Sequence, residues 1–255
     1  MIAKTEAVVL SAMKFRDTSK IVRLYTKEFG KVSVIAKGAR DAKSKFRGSL
    51  EPMNYVGCVI YRNNNRELQL LSQCDIIQTF RSLSDSMEKM FAAMSAVELV
   101  DIVSHGEDEN QTLFDLLLNH IRVVNSATKQ PSLALYYFET KLSELLGFKP
   151  ELMRCTHCEN CMEREEENYR GYATTSSGIL CANCSEGLNN AEKISTASLA
   201  VLQRLQAANV VDSIMDMQLQ PGTHDEVQRS LRSHLQNHIE GFRGLHSEEV
   251  FAAIL

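Results

Sequence analysis

Five cysteines lie within residues 155–184, and their spacing is typical of metal ligands. Cys155 and Cys158 form one Cys-x-x-Cys pair, and Cys181 and Cys184 form a second. Each pair can direct two thiolates at one point, so two pairs complete the tetrahedral shell of a structural zinc ion. We therefore predict one structural Zn²⁺ held by these four residues, with its binding energy appearing as folding energy.

Two neighbouring side chains leave the ligand set open. Cys161 lies three residues after Cys158 and so repeats the Cys-x-x-Cys spacing, and His157 lies between the two cysteines of the first pair. Either could replace one of the four cysteines. Reduced thiols without a metal are a further alternative, although double spacing of this kind is uncommon without one.

An enzymatic interpretation of the same residues is weak. The run His105-Gly106-Glu107, followed by the Cys155 and Cys158 pair, imitates the H-x-E and P-C-x-x-C signature of zinc deaminases. Arg154 stands where that signature has proline, and the second cysteine pair would be unused. A closed sulfur shell leaves no position for a reacting water. We expect a structural metal site and no enzyme.

The elements that position these residues begin with short apolar blocks separated by Gly, Asn and charged turns. This pattern predicts five strands, at residues 7–12, 19–26, 31–37, 54–61 and 67–80, and the length of the last predicts a bend or a bulge. Five strands of this size favour an OB-fold barrel.

From residue 84 the apolar period changes from two to about three and a half, which predicts helices. They are expected at residues 87–103, with Ser84 or Asp85 as the N-cap, and at residues 112–124, 131–146, 195–208 and 224–242. The predicted fold is a multidomain α+β protein. Its parts are an OB-fold domain at 1–80, of a kind that binds oligonucleotides, a helical domain at 81–150 and 186–255, and a zinc-finger insertion at 151–185.

Bulk composition and charge distribution limit the function. The 255 residues are 44% hydrophobic and 24% charged, with a mean hydropathy of −0.20, which is typical of a soluble folded protein. No apolar run approaches the roughly 20 residues of a membrane span, and no export signal opens the chain, so we expect a cytoplasmic protein. Residues 1–50 hold twelve Lys and Arg and four Asp and Glu, a net charge of +8 within a total of −4. This segregation favours nucleic acid as a partner, with a solvated face as the alternative.

Several motifs along the chain follow one another in a familiar order. They are Thr18-Ser19-Lys20-Ile21-Val22-Arg23-Leu24-Tyr25-Thr26, Gly30-Lys31, Lys37-Gly38-Ala39-Arg40, Ser44-Lys45-Phe46, Leu50-Glu51-Pro52, and Leu145-Leu146-Gly147-Phe148-x-Pro150 before the cysteine pairs. In order and spacing they resemble the RecO family of recombination mediators, over nearly the whole chain.

The resemblance implies a bacterial, nucleoid-associated protein that binds single- and double-stranded DNA and anneals complementary strands. It also implies a role in helping RecR load RecA onto DNA coated by the single-stranded-DNA-binding protein, whose C-terminal tail would be a further partner. A zinc-ribbon RNA-binding or ribosome-associated factor is the alternative. The implied DNA contacts are the cations of the barrel and of its 38–48 loop, with Phe46 as the preferred base-stacking ring, for which core packing competes. They are Lys14, Arg16, Lys20, Arg23, Lys37, Arg40, Lys43, Lys45, Phe46 and Arg47.

Overall fold

Five amino-terminal strands close into a barrel, which confirms the OB-like architecture predicted from the sequence. The computed structural model describes residues 1–63, 65–106, 108–159, 178–185 and 194–252. The strands pair in the order β1-β2-β3-β5-β4, and β4 closes on β1. Neighbours are antiparallel except for β3 and β5, which are parallel. The strands are β1 (Ile2–Phe15), β2 (Ser19–Thr26), β3 (Gly30–Ala36), β4 (Tyr55–Tyr61) and β5 (Leu68–Gln78).

The first strand is longer than the six residues predicted, because it serves two neighbours in turn. Its first half pairs with β4 and its second half with β2, and the register shifts between Val9 and Ser11. Such a bulge bends a strand and increases its twist, which helps a small sheet to close. The bend predicted for the fifth strand also occurs, since the pairing of β4 with β5 shifts register between Val59 and Ile60.

The barrel interior is apolar and is closed at one end by the long segment between β3 and β4. Val22, Leu24 and Val34 are among the fully buried core side chains. Phe46 and Leu50, from the connecting segment, join them with 2% of each side chain exposed. The loop after β3 therefore plugs the barrel with its own side chains.

Seven helices follow the barrel in the described part of the chain. They are α1 (Met87–Val103), α2 (Gln111–Ser126), α3 (Ser132–Leu145), α4 (Ala182–Ser185), α5 (Thr196–Ala207), α6 (Pro221–His238) and α7 (His246–Ala252). Among the residues described, no helix is both long enough and apolar enough to cross a bilayer.

Packing contacts group the chain into two compact units, the first formed by Met1–Ala127 with Leu245–Leu255 and the second by Thr128–Gly244. In the first unit α1 packs against α2 and α7. In the second, α3, α5 and α6 pack against one another. The three domains predicted from the sequence were defined by changes in the sequence pattern, whereas these two units are defined by packing contacts. The predicted domain boundaries therefore stay a prediction.

The N-cap of α1 and both ends of α6 differ from the sequence prediction. The N-cap of α1 is Ser86, whose side chain accepts a hydrogen bond from the Lys89 N–H, because residues 81–85 form a 3-10 turn first. Helix α6 begins at Pro221, a residue suited to a first helical turn, and ends at His238. After α6 the chain forms a further helix, α7 (His246–Ala252), which the sequence analysis did not predict.

Three buried polar side chains in the second unit, those of Glu139, Arg232 and His234, have partners. Arg232 Nη1 lies 2.6 Å from Glu139 Oε1, and the glutamate is fully buried. His234 Nε2 donates to the Phe148 carbonyl at 2.8 Å. Burial lowers the pKa of His234 from 6.5 to about 4, because the charged imidazolium loses its hydration. This histidine therefore supports the folded state fully above pH 6.5, and its contribution is lost as the pH falls towards 4.

Candidate metal centre and nucleic-acid interface

Two backbone segments meet to form the base of the cysteine cluster. The Ile179 N–H donates to the Glu151 carbonyl at 2.9 Å, and the Thr156 N–H donates to the Ile179 carbonyl at 2.9 Å. The approach is so close that a Cβ at Gly178 would lie 2.2 Å from the Glu151 oxygen, so only glycine fits there. Leu152 and Ile179 are each 1% exposed and supply apolar filling.

Each cysteine pair lies on a tight turn, which places both of its sulfurs in the cluster. The Glu159 N–H donates to the Cys155 carbonyl at 2.9 Å, and the Ser185 N–H donates to the Cys181 carbonyl at 3.0 Å. The second turn is the short helix α4. Helix α5 contacts the segment that precedes Cys155, because Gln203 Nε2 donates a hydrogen bond to the Leu152 carbonyl at 2.7 Å.

The four sulfurs have the separation that a tetrahedral metal shell requires. The Sγ atoms of Cys155, Cys158, Cys181 and Cys184 all lie within 4.8 Å of one another, and those of Cys158 and Cys181 are 3.8 Å apart. A tetrahedron with metal–sulfur bonds of about 2.3 Å has sulfur–sulfur edges of about 3.8 Å. The cluster can therefore hold one metal ion with little rearrangement.

The electrostatics of the cluster favour a bound cation. Burial opposes ionisation of Cys155, but N–H groups of Cys158, Cys181 and His157 point at its sulfur and lower its pKa to about 6. In contrast, hydrogen bonding with the neighbouring thiols, first of all Cys181, together with burial raises the pKa of Cys184 to about 12. Several thiolates so close together repel one another, and a divalent cation removes that repulsion.

The structure brings together the four cysteines that the sequence analysis paired. Within the described ranges they form the sole group of three or more His, Cys, Asp or Glu side chains arranged to hold a metal. The His157 side chain is exposed and lies outside the group. Cys161, the other alternative ligand, falls outside the described residues.

Most of the predicted DNA-contacting cations lie at one end of the barrel. The β1–β2 hairpin ends there, and Lys14 and Lys20 are direct cross-strand partners beside its tip. Arg40 Nη1 donates to the carbonyls of Arg16 and Asp17 at 3.0 and 2.9 Å. These bonds fasten the loop after β3 to the hairpin tip, so the cations of both segments share this end.

Some of these cations have partners inside the protein. Arg23 Nη1 lies 2.9 Å from the Asp101 carboxylate of α1, and Lys31 Nζ lies 3.5 Å from the same group. Lys20 Nζ lies 3.3 Å from the Glu51 carboxylate. The sequence analysis missed Asp101, because no local signal links a residue of α1 to β2 and β3.

The remaining predicted cations are available to a ligand. Arg16 and Lys45 lie over the neighbouring rings of Phe15 and Phe46, at 5.2 and 5.1 Å from the ring centroids. For a further set of exposed predicted cations, no counter-ion among the described residues lies within salt-bridge distance. They are Lys14, Lys37, Lys43 and Arg47.

Burial argues against the predicted base-stacking role of Phe46, and two other aromatic side chains of the barrel are also buried or half-buried. Phe46 is 2% exposed in the barrel core, so its ring has no free face for a base, and core packing is its role. Tyr25 is 1% exposed and lies 6.5 Å from Phe114 of α2. Phe15 is half-buried, beneath the Arg16 guanidinium. Phe46 therefore offers no surface on which a base could stack.

Comparison with known families accounts for almost the whole chain. The model described as Recombination protein O N terminal matches residues 1–80, and the model described as Recombination protein O C terminal matches residues 84–248. This chain belongs to the RecO family. The first match spans all five barrel strands, and the second includes the four clustered cysteines, so both candidate sites lie within RecO-family sequence.

Curated relatives agree with this assignment. The DNA repair protein RecO of Salinibacter ruber is 30% identical over 253 residues, which cover 99% of this chain and 94% of that protein. The DNA repair protein RecO of Symbiobacterium thermophilum is 29% identical over 244 residues, or 96% and 94% of the two chains. The Chlorobium limicola protein of the same name is 36% identical over 157 residues, a match covering 62% of this chain and 60% of that relative.

Proposed function

We propose that this RecO-family chain mediates DNA repair and homologous recombination. It binds single- and double-stranded DNA, anneals complementary strands, and helps RecR load RecA onto DNA coated by the single-stranded-DNA-binding protein. The observation that carries the proposal is the set of exposed cations at one end of the barrel, within a chain whose relatives are named DNA repair proteins. The proposed place of action is the bacterial cytoplasm, at the nucleoid.

The physics of annealing supports this role. Two complementary strands repel one another through their phosphates, and neutralising both lowers the barrier to pairing. Lysine and arginine side chains that reach phosphates release condensed counterions, and the resulting affinity depends on salt and hardly on sequence. The Arg40 bonds to the hairpin tip hold the cationic loop in one place, which reduces the entropy lost when DNA binds.

We propose that the cysteine cluster holds Zn²⁺ as a structural ion and that the protein performs no covalent chemistry. Four sulfur donors with tetrahedral spacing suit zinc and fill its usual coordination number. The ion would join the segment around Cys155 to that around Cys184. Its role is to stabilise the fold of this part of the chain.

The proposed protein partners are RecR and the acidic C-terminal tail of the single-stranded-DNA-binding protein, with RecA reached indirectly. Pull-down of purified RecR, and of that binding protein with and without its tail, tests these partners directly. Failure of both to associate with the full-length chain would remove the loading role and leave DNA binding and annealing.

Annealing of complementary oligonucleotides tests the central claim. We expect the wild-type chain to accelerate annealing, and a variant with Lys37, Lys43 and Arg47 changed to Gln to lose most of that acceleration. The matched control changes three exposed cations of the second unit, Lys129, Arg229 and Arg243, to Gln and keeps the same net charge. Equal loss in both variants, or a strong preference for structured RNA over DNA, contradicts the proposal.

A further inference from the structure

Two cysteines that do not belong to the metal-binding cluster face one another across strands β4 and β5. Cys58 pairs directly with Cys74 in the register of the two antiparallel strands. Both side chains belong to the barrel core, and each residue is 3% exposed. The Cys58 thiol donates a hydrogen bond to the Cys74 sulfur, and the two Sγ atoms are 3.6 Å apart. The barrel therefore contains a pair of neighbouring thiols that neither DNA binding nor the metal site uses.

The backbone at this pair suits a disulfide. Directly opposed residues on antiparallel strands have Cα atoms about 4.5 or 5.5 Å apart, and a disulfide spans Cα separations of about 4.4–6.8 Å. Their side chains also point to the same face of the sheet. The two sulfurs need to approach by about 1.5 Å to reach the bonded distance of about 2.05 Å. Side-chain rotation can supply that movement, so Cys58 and Cys74 can be joined while the strands stay paired.

The two thiols differ in their readiness to lose a proton. The hydrogen bond from the Cys58 thiol, together with one from Ser49, outweighs burial and lowers the pKa of Cys74 below its ordinary value. The same contact between the sulfurs, together with burial, raises the pKa of Cys58. Since the thiolate is the form of cysteine that attacks an oxidant, Cys74 is the first sulfur to react. Cys58 is then within reach to complete the bond.

The stretch of sheet that carries the pair is short and is bounded by irregularities. The register of β4 with β5 shifts between Tyr55 and Val56 and again between Val59 and Ile60. Each shift interrupts the ladder of hydrogen bonds, so the few residue pairs between them can open locally. An open depression of about 560 Å³ lies on the outer side of this stretch, with Gly57 and Val59 among its lining residues. Local opening here admits a small oxidant to the sulfurs.

We propose that Cys58 and Cys74 are a redox-sensitive pair, which hydrogen peroxide converts reversibly into a cross-strand disulfide. The Cys74 thiolate attacks one peroxide oxygen, the O–O bond breaks, and the released hydroxide is protonated to water, which leaves a sulfenic acid on Cys74. The Cys58 sulfur then gives up its proton and attacks the sulfenic sulfur, and the hydroxyl group leaves with that proton as a second water. The sulfurs lose two electrons to the peroxide, and exchange with a dithiol reverses the reaction.

The disulfide acts as a covalent clamp on a barrel that is otherwise held by hydrogen bonds and apolar packing. It closes a loop of about 15 residues, which restricts the unfolded chain and so stabilises the folded one. The clamp lies beside the segment that plugs the barrel, because Ser49 of that segment is hydrogen-bonded to the Cys74 sulfur. Disulfides in reducing compartments are usually transient and redox-sensing, which suits a reversible clamp. This role goes beyond the proposed function, since formation of the bond does not require DNA.

Peptide mapping tests the bond directly. Purified full-length chain is treated with a small excess of hydrogen peroxide, the remaining thiols are blocked with N-ethylmaleimide under denaturing conditions, and the chain is digested with trypsin. Arg62 and Arg66 separate the two cysteines, which therefore fall on different tryptic peptides, residues 48–62 and 67–81. We expect these peptides to be joined, with a mass two hydrogen atoms below their sum. They should separate after treatment with dithiothreitol.

Thermal melting gives a second readout. The oxidised chain should melt about 5–10 °C higher than the reduced chain, because the bond restricts the unfolded state. Cys58→Ala cannot form the bond, so the same treatment should give neither the joined peptides nor the rise. This variant keeps the four clustered cysteines, so any effect of peroxide on the metal site persists in it and the comparison isolates the pair.

Val56→Ala is the matched control, because Val56 is fully buried in the same strand and both thiols remain. It should be less stable than the wild-type chain when reduced, yet still form the bond and gain stability on oxidation. Cys58→Val, which fills the site with an apolar side chain, replaces Cys58→Ala if the alanine variant unfolds. Like the alanine variant, it should show no response of the pair to peroxide.

Three results would overturn the inference. The first is a wild-type chain in which the two peptides stay separate, or are joined only after unfolding in urea, because the folded barrel then excludes the oxidant. The second is joining of either peptide to residues 155–164 in preference to its proposed partner, which would indicate unspecific exchange among thiols. The third is a bond that forms without raising the melting temperature above that of Cys58→Ala treated in the same way.

Discussion

Replacing Lys37, Lys43 and Arg47 with Gln should reduce the salt dependence of DNA binding by a calculable amount. These side chains are exposed and, among the described residues, have no counter-ion, so each is free to contact one phosphate. For a single strand, each phosphate contact adds about 0.7 to the slope of log K against log salt concentration. Removing three contacts should therefore make that slope shallower by about 2.

The same slope fixes the loss of affinity at each salt concentration. If the counterion contribution vanishes near 1 M salt, a slope change of about 2 corresponds to a loss of about a hundredfold at 0.1 M and about tenfold at 0.3 M. Fluorescence anisotropy with a labelled oligothymidine, measured at several salt concentrations, gives both quantities. Arg40 is left unchanged, because its bonds to the Arg16 and Asp17 carbonyls would make its replacement a test of loop structure.

The control variant with Lys129, Arg229 and Arg243 changed to Gln has the same net charge and should keep the wild-type slope. A loop variant whose slope equals that of the wild type would show that the loop does not contact phosphates. A loss of affinity that stays constant over the whole salt range would also refute the reasoning, because it would indicate a non-electrostatic cause.

Four further predictions concern stability and the metal. Elemental analysis should find about one zinc per chain, and Cys184→Ser should reduce that content and lower the melting temperature, because a structural site needs its full shell. The free energy of unfolding of the wild-type chain should fall by about 3 kcal/mol between pH 6.5 and 4, because His234 is protonated more readily in the unfolded state. His234→Gln should abolish this pH dependence, which urea unfolding at several pH values would measure. Asp101→Asn should lower the free energy of unfolding by about 1–2 kcal/mol, since Arg23 and Lys31 lose their carboxylate while staying partly hydrated. Phe46→Ala should cost about 3–5 kcal/mol in the same measurement, and a variant of unchanged stability would contradict its place in the core.

The sequence predicted the barrel well because its strands alternate between a buried and an exposed face. Val32, Val34 and Ala36 point inwards while Lys31, Ser33 and Ile35 point outwards, so the period of two is visible along the chain. The cysteine cluster was equally predictable, because each Cys-x-x-Cys turn brings its two sulfurs close together and two such pairs match one metal shell. In both cases the signal is local.

Features that depend on distant contacts were not predictable in the same way. Phe46 lies in a polar, cationic loop that suggests exposure, yet its ring fills the barrel, which only the closed sheet reveals. The partnership of Asp101 with Arg23 joins residues far apart in the chain.

Helix α7 makes the barrel-containing unit discontinuous along the chain. Its Phe251 ring lies 5.4 Å from Phe91 of α1, and its first N–H groups, at His246 and Ser247, donate to the Glu98 carboxylate. During synthesis the ribosome must therefore complete residues 128–244 before α1 can acquire this neighbour. Closing so long a loop carries an entropy cost, and until it closes the Phe91 ring of α1 lacks the contact that Phe251 supplies.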